Sequence, residues 1–234
     1  MRVIVPLAGP DFVREGGALK AMIPLDGQLL LRRVLTSRPW AQGVAPEDHA
    51  FVLIDGPETR AFARGELAQW YPGASVTFLS RYTRGAALSA LAGMVSGADM
   101  GEPIVVDLAD ILYTSTLDPK AMFAANPACG GIALTFPSDN PAYSYLRLDA
   151  FGAFSEAAEK RVISNNASAG TYMFRDLPTY LRALAHGLEN AASQTFRDLF
   201  FVCPLFNGVH DQGKSVLLAP VTDVTDIKVE TSHV

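Results

Sequence analysis

An α/β fold with a mixed, mostly parallel central sheet flanked by helices is what this sequence predicts, and two observations predict it. Short, β-branched, nearly continuous apolar runs alternate with stretches of helical spacing through the first half of the chain, and strand-like segments follow one another through the second. Alternation of strand and helix implies right-handed crossovers and parallel pairing, and the later strands make the sheet mixed.

Taken in order, strands are read at 2–8 (RVIVPLA), 50–56 (AFVLIDG), 75–80 (SVTFLS) and 103–110 (PIVVDLAD). Their apolarity is almost unbroken, as expected for strands covered on both faces. Between them, 28–38, 57–70 and 84–97 carry helical spacing; in the last, Ala87, Leu88, Leu91 and Met94 share a face whose alanines permit close packing on a sheet. The second half offers strands at 130–138, 143–149, 153–160 and 169–176, with Asp149-Ala150-Phe151-Gly152 as a turn. An amphipathic segment at 177–191 and a late strand at 214–221 complete the pattern. Repeats, low-complexity tracts and linkers are lacking, so one continuous domain over 1–234 is expected.

Composition narrows the function classes. With 49% hydrophobic and 18% charged residues in a chain of 234, a large buried core is within reach and disorder is not expected. Acidic residues outnumber basic ones 24 to 19, for a net charge of −5, which disfavours a nucleic-acid polymer as partner but leaves a single nucleotide open. Cys129 and Cys203 lie far apart in no metal-ligand spacing and read as buried thiols. The opening run is interrupted by Pro6, too short for a secretory segment, and no stretch reaches the roughly 18 apolar residues of a membrane span. No membrane partner and a cytoplasmic location follow as expectations. The four histidines show no pairing pattern and read mostly as surface residues.

Ligands of open parallel sheets bind beyond the carboxyl ends of the strands. Three features fall there: the loop from Gly9 to Lys20, the helix start at Thr83-Arg84-Gly85-Ala86, and the aspartates Asp107 and Asp110. A helix start presents free N–H groups and a favourable dipole to an anion or a polar base edge. Asp110 suits Mg²⁺, which takes one or two carboxylates together with phosphate oxygens, and equally suits a turn or a helix cap. Lys20 reads alone as a solvated lysine, and Glu159-Lys160 beside Arg161 as a charged hairpin end. No Ser-His-Asp order, Cys-His pair or HExxH occurs.

The order of these elements resembles the sugar-1-phosphate nucleotidyltransferase family. Such proteins open with a strand, Leu/Met-Ala-Gly, a glycine-rich loop and Lys-x-x-x-Pro followed by Gly; here the positions read PLAG (6–9) and KAMIPLDG (20–27). A strand-ending aspartate matches Asp110, a base-contacting Gly-Ala matches Gly85-Ala86, and a Glu-Lys pair before Ala-Gly-x-Tyr-x-Phe matches Glu159-Lys160 and AGTYMF (169–174). TDIKVETSHV (225–234) resembles the segment carrying the second metal aspartate, at Asp226-Ile227, with Asp223 as the competing ligand.

The resemblance implies a Rossmann-like nucleotidyltransferase domain, with a nucleotide-binding half over about 1–115 and a sugar-phosphate-binding half over about 116–234. It implies Lys20, Arg14 and Asp110 as catalytic residues, and Leu7, Ala8, Gly9, Gly85 and Ala86 against the nucleotide. Glu159, Lys160 and Gly170 fall to the second substrate, and Mg²⁺ to Asp110 and Asp226. The partners would be an NTP and a sugar phosphate or similar small phosphate, joined with release of pyrophosphate for nucleotide-sugar or surface-polysaccharide synthesis. Homo-oligomerisation stays open. The chain departs from the family where Gly-x-Gly-x-Arg usually follows Ala-Gly. Pro10-Asp11-Phe12 stands there, removing one amide and adding a negative charge, with Arg14 as the substitute arginine. That altered loop keeps a second reading open, a nucleotide- or sugar-nucleotide-binding protein without turnover. A third, a glycosyltransferase with an Asp-x-Asp metal site, meets one residue too many in Asp107-Leu108-Ala109-Asp110.

Overall fold

The computed structural model describes residues 1–227 except Asp26, Ser96 and Ala98. In chain order the elements are β1 (Arg2–Pro6), β2 (Pro24–Leu25), β3 (Gln28–Leu29), α1 (Leu30–Thr36), β4 (His49–Ile54), α2 (Pro57–Phe62), α3 (Ala68–Trp70), β5 (Ser75–Leu79), α4 (Ala86–Met94), β6 (Ile104–Asp107) and β7 (Ile111–Thr114). They continue with α5 (Pro119–Ala125), β8 (Cys129–Pro137), β9 (Ser144–Leu148), β10 (Phe154–Glu159), β11 (Asn166–Phe174), α6 (Leu177–Glu189), α7 (Ala191–Gln194), α8 (Leu205–Asp211), β12 (Ser215–Pro220) and β13 (Thr222–Asp226).

The main sheet runs β10-β9-β11-β6-β1-β4-β5, with β8 paired to β11 and β12 to β8. β6, β1, β4 and β5 are mutually parallel, as the strand–helix alternation requires, and β12 runs parallel to β8. β11 enters antiparallel to β6 and carries β8 and β9, also antiparallel. The two-residue period of each central strand divides its side chains between two cores. Val3, Val5, Phe51, Leu53, Val105 and Met173 join one apolar cluster; Ile4, Ala50, Ile104, Val106, Tyr172 and Phe174 join the other. The continuous apolarity of these runs thus comes from helices on both faces.

Two helices start where local chemistry dictates. Asp118 accepts from the Lys120 and Ala121 amides ahead of Pro119, and Asp176 accepts from Thr179 N ahead of Pro178, each a side-chain cap followed by a proline that has no amide to lose.

Several expectations are corrected. The fourth strand ends at Asp107, so Asp110 stands in a turn before β7 instead of closing the strand. The buried face of α4 is Ala87, Ala90, Gly93 and Met94, while Leu88 and Leu91 are half-buried. A Cβ on Gly93 would meet Ile4 and Val52 methyl carbons at 2.9 Å, so the helix comes too close to the sheet there for a larger residue. The helix predicted over 84–97 is α4, Ala86–Met94; Ser96 of that prediction and 228–234 of the final motif lie outside the described residues. The segment 57–70 is interrupted by a π-helical turn at Ala63–Leu67. Both cysteines are buried free thiols, as expected.

His49 is buried, an exception among histidines read mostly as surface residues; its Nδ1 lies 3.1 Å from the Ala45 carbonyl and its ring 4.5 Å from that of Tyr71. Burial pushes the imidazole pKa down, outweighing the Ala45 and Pro46 carbonyls, which pull it up. Below about pH 6.5 the unfolded chain gains a proton that the folded one resists, so this residue makes stability fall as the pH drops. Urea midpoints measured from pH 7.5 to 5.5 should decline more steeply for the native chain than for His49→Phe. Parallel declines would remove His49 as the cause.

Candidate active site

A two-lobed cleft lies beyond the carboxyl ends of β1 and β6. The larger lobe, about 650 Å³, is lined by 6–12, Lys20, Ala21, Leu30 and Leu31, by Tyr82, Thr83, Gly85, Ala86 and Ser89, and by Leu108, Ala109, Asp110, Lys160, Leu199 and Phe201. The smaller, about 350 Å³, is bounded by Leu108, Asp110, Ile111, Ala142, Tyr143, Ser144, Glu159, Lys160, Ser168, Gly170, Tyr172, Phe201, Val202 and Asp226. Both volumes are of the size that small-ligand sites have. Asp110 and Lys160 belong to both lobes, so an anion and its counter-charge meet at the junction.

The loop after β1 closes on itself. Phe12 N donates to Gly9 O (3.1 Å) across Pro10-Asp11, and residues 12–20 form a small hairpin in which Arg14 N donates to Ala18 O (2.8 Å) and Lys20 N to Phe12 O (2.9 Å). Gly16 and Gly17, at φ 81° and 82°, turn it. Lys20 Nζ reaches Asp11 Oδ2 at 3.1 Å, so the added negative charge sits on the lysine that faces the cleft. Arg14 is exposed on the hairpin and lines neither lobe.

At the head of α4, Gly85 adopts φ 108°, and a Cβ there would fall 2.4 Å from the Phe200 carbonyl oxygen. Phe200 N donates to Arg84 O, and Phe200 O accepts from Ala87 N (3.0 Å), so one amide of the helix start is taken up internally. The crossing segment is a two-residue hairpin. Phe196 and Leu199 exchange backbone hydrogen bonds of 3.1 Å, while Arg197 and Asp198 take φ 51° and 60°, the signature of a type I′ turn. Arg84 Nε holds it through Asp198 O (3.2 Å). Alternation then turns Leu199 and Phe201 to the cleft and buries Phe200 in the core. Sequence reading missed this wall, because nothing in FRDLFFVCP marks which aromatic faces outward.

In the smaller lobe Glu159 is almost buried, its side chain 7% exposed, and accepts from Ser144 Oγ. Lys160, at φ 51°, places Nζ 4.0 Å from Glu159 Oε1 and donates to Ala142 O (3.2 Å). Behind them Tyr172 hydrogen-bonds Ser168 and Ser144, and burial pushes its hydroxyl pKa well up. The charged hairpin end is therefore an organised polar floor.

Asp110 and Asp226 meet through pairing that no local pattern reveals. β13 lies antiparallel to β7 with Asp226 opposite Ile111, and Ile227 N donates to Asp110 O (3.2 Å). Tyr143 hydrogen-bonds Asp226; burial first, then this bond and the charges of Asp226 and Asp110, raise its hydroxyl pKa. Gly170, at φ 73°, lies against Asp110, whose Oδ1 would be 3.1 Å from a Cβ added there. Asp223 is exposed, accepts from Thr222 Oγ1 (3.1 Å) and lines neither lobe. Among the described residues no three His, Cys, Asp or Glu side chains cluster as a metal cage. Two carboxylates lining the smaller lobe, Asp110 of them at the junction, do match Mg²⁺, which completes its shell with water and phosphate oxygens. Asp107 lies outside the cleft, fully buried against Arg38, so it is not the partner of Asp110 in an Asp-x-Asp site.

Among solved structures, the fold is shared across nearly the whole chain with a nucleoside-diphosphate-sugar pyrophosphorylase from Vibrio cholerae RC9. The TM-score is 0.82 at 21% identity, with 99% of this chain and 97% of that one covered. It is also shared with a protein assigned as a glucose-1-phosphate thymidylyltransferase from Bacillus anthracis, solved with sucrose (TM-score 0.70, 16% identity, 97% and 89% covered). A third is the inositol-1-phosphate CTP transferase from T. maritima (0.65, 14%, 96% and 86%). No protein-family model and no curated protein matches the sequence significantly. The chain therefore has the fold of the sugar-phosphate nucleotidyltransferases. Among the described residues no helix is long and apolar enough to cross a membrane.

Proposed function

We propose that the protein is a nucleotidyltransferase that joins an NTP to a sugar-1-phosphate or a similar small phosphate and releases pyrophosphate. The observation that carries this reading is one cleft of two lobes, on a nucleotidyltransferase fold, with Asp110 and Lys160 at their junction. The nucleoside would occupy the larger, mainly apolar lobe, its base edge against Gly85 and Ala86 and its phosphates along Leu7, Ala8, Gly9 and Lys20. The second substrate would lie in the smaller lobe, its hydroxyls donating to Glu159 and its phosphate beside Lys160 and Gly170. The attacking phosphate approaches the α-phosphorus in line, so the protein's work is positioning and charge neutralisation. Asp110 and Asp226 would hold Mg²⁺, which supplies positive charge at the reacting phosphate. Lys20 and Lys160 offset charge on either side of the junction. Arg14 enters this scheme only if the 12–20 hairpin turns inward. Nucleotide-sugar synthesis in the cytoplasm is the setting this chemistry suits.

A matrix of NTPs against sugar phosphates and small alcohol phosphates, read by pyrophosphate release, tests the reading. The Asp11–Lys20 pair favours one alternative, a binding protein of the same fold without turnover; nucleotide affinity with no pyrophosphate from any combination would establish it. Glu159→Gln separates the two substrates. It keeps the partner for Ser144 but weakens a charge-assisted bond worth about 1.5–3 kcal/mol, or roughly tenfold to a hundredfold. The KM for the phosphate acceptor should rise, or kcat fall, by about that factor. NTP affinity should stay level, and losing it alone would assign Glu159 to the nucleotide.

A further inference from the structure

We infer that the buried Arg38–Asp107 pair is a positioning device for Asp110, acting through the turn that joins β6 to β7. The inference rests on the proposed role of Asp110. Arg38 follows α1 and reaches across to the end of β6: Nε donates to Asp107 Oδ2 (2.6 Å) and Nη2 to Asp107 Oδ1 (2.9 Å), both side chains 1% exposed. The same Nη2 donates to Ile111 O (3.1 Å), on the far side of the turn. Within the turn, Asp107 Oδ1 also accepts from Ala109 N (2.9 Å), and Ala109 adopts φ 54°, a conformation unfavourable for a residue with a side chain. One guanidinium therefore clamps both ends of a strained link whose last residue is Asp110.

The rest of the surroundings fixes the clamp. The Arg38 guanidinium carbon lies 4.0 Å from the centre of the Tyr113 ring, and Tyr113 hydrogen-bonds Thr171, which stands opposite Asp107 on β11. On its other side Asp110 is tied by its carbonyl to Ile227 N. Stability alone is a poor account of such a pair. Buried ion pairs are often no more stabilising than apolar residues of the same volume, and here Arg38 Nη1 is buried with no hydrogen-bond partner among the described residues. What an apolar pair could not supply is the acceptor for Ala109 and the bridge to Ile111, and both act on the backbone that aims Asp110 into the cleft.

The test compares two charge-free pairs. Arg38→Met/Asp107→Leu removes the acceptor; Arg38→Met/Asp107→Asn retains an oxygen for Ala109. In a chain that still unfolds cooperatively, the Met/Leu pair should lower kcat at least tenfold and raise the Mg²⁺ concentration for half-maximal activity at least tenfold, with the NTP KM at saturating Mg²⁺ within twofold. The Met/Asn pair should recover several-fold of both losses. Mn²⁺ binding to the nucleotide-loaded protein, followed by electron paramagnetic resonance, should weaken in the same order without reference to turnover. A folded Met/Leu variant with native kcat and native Mn²⁺ affinity overturns the inference. If that variant does not fold, Arg38→Lys decides, because a lysine keeps the charge but loses the planar two-nitrogen fork that fixes the Asp107 carboxylate while reaching Ile111; native kinetics in Arg38→Lys would equally overturn it. Absence of turnover in the native chain with every substrate pair sinks the proposed function instead, and the Mn²⁺ comparison then decides the positioning role by itself.

Discussion

Asp110→Asn is expected to abolish pyrophosphate release while leaving the fold intact. Asparagine keeps the shape of the side chain, so the close approach of Gly170 to Asp110 is undisturbed, and the bond from Ile227 N to the Asp110 carbonyl belongs to the backbone. What is lost is the negative charge at the junction of the lobes. A carboxylate that holds a cation against a reacting phosphate contributes several kcal/mol to the transition state, so a loss of at least about a thousandfold in kcat is expected. Nucleotide affinity measured in EDTA should be unchanged or tighter, because a negative charge near the phosphates has gone. Asp226→Asn should act in the same direction, and Asp223→Asn, exposed and away from both lobes, should do nothing. Near-native turnover in Asp110→Asn would sink the assignment of the junction as the reacting centre.

The central strands were legible because burial on both faces leaves a local trace. Residues 3–5, 50–53 and 104–106 are apolar at every position, and this happens only where helices cover both sides of a sheet. Elements whose stability comes from distant pairing left none. β7 and β13 make their own two-stranded sheet between Ile111–Thr114 and Thr222–Asp226, and TDVTD is too polar to read as a strand by itself. α8 is short and carries Gly208, a poor helix former, yet it is held because Phe206 and Val209 fill the second core. The end of β6 was misread for a related reason. PIVVDLAD stays apolar on either side of Asp107 as far as Ala109, and nothing local marks Asp107, ion-paired with Arg38, as the last residue of the strand.

The candidate cleft was legible as an order of motifs and opaque as geometry. Leu7, Ala8, Gly9, Lys20, Gly85, Ala86, Glu159, Lys160, Gly170, Asp110 and Asp226 all line the two lobes, and only resemblance linked them, since individually each had an ordinary reading. Arg14 fell outside because the hairpin over 12–20 directs it to solvent, an outcome set by Gly16 and Gly17 rather than by its spacing from Gly9. Arg38 had no signal at all: its partner is far away in sequence, and a lone arginine after a helix ordinarily reads as surface. Gly85 was noticed for the helix start, but the reason it must be glycine, the passage of the Phe200 backbone, lies in a segment more than a hundred residues on.

Lys20→Ala is expected to weaken NTP binding and reduce turnover by at least tenfold, and the Asp11–Lys20 pair determines how that loss should be read. Lys20 is mostly covered and faces the larger lobe, whereas Asp11 is 60% exposed, so the ion pair is half in solvent and worth only about 0.2–1 kcal/mol. A triphosphate carries more negative charge than one carboxylate and can draw Lys20 away at that modest cost. Asp11→Asn removes the competitor and should tighten NTP binding by up to about fivefold, the same free energy expressed as affinity. The two changes must then be coupled: Lys20→Ala should cost more in the Asp11→Asn background than in the native chain, because there the lysine is wholly available to phosphate. Isothermal titration with each NTP across the four proteins of the cycle measures that coupling directly. Tenfold corresponds to about 1.4 kcal/mol, well above the error of such a cycle. If Lys20→Ala leaves affinity and turnover untouched in both backgrounds, phosphate does not lie along this loop. The 9–20 segment would then be a closed turn after a strand, with the Asp11–Lys20 pair as part of its fastening.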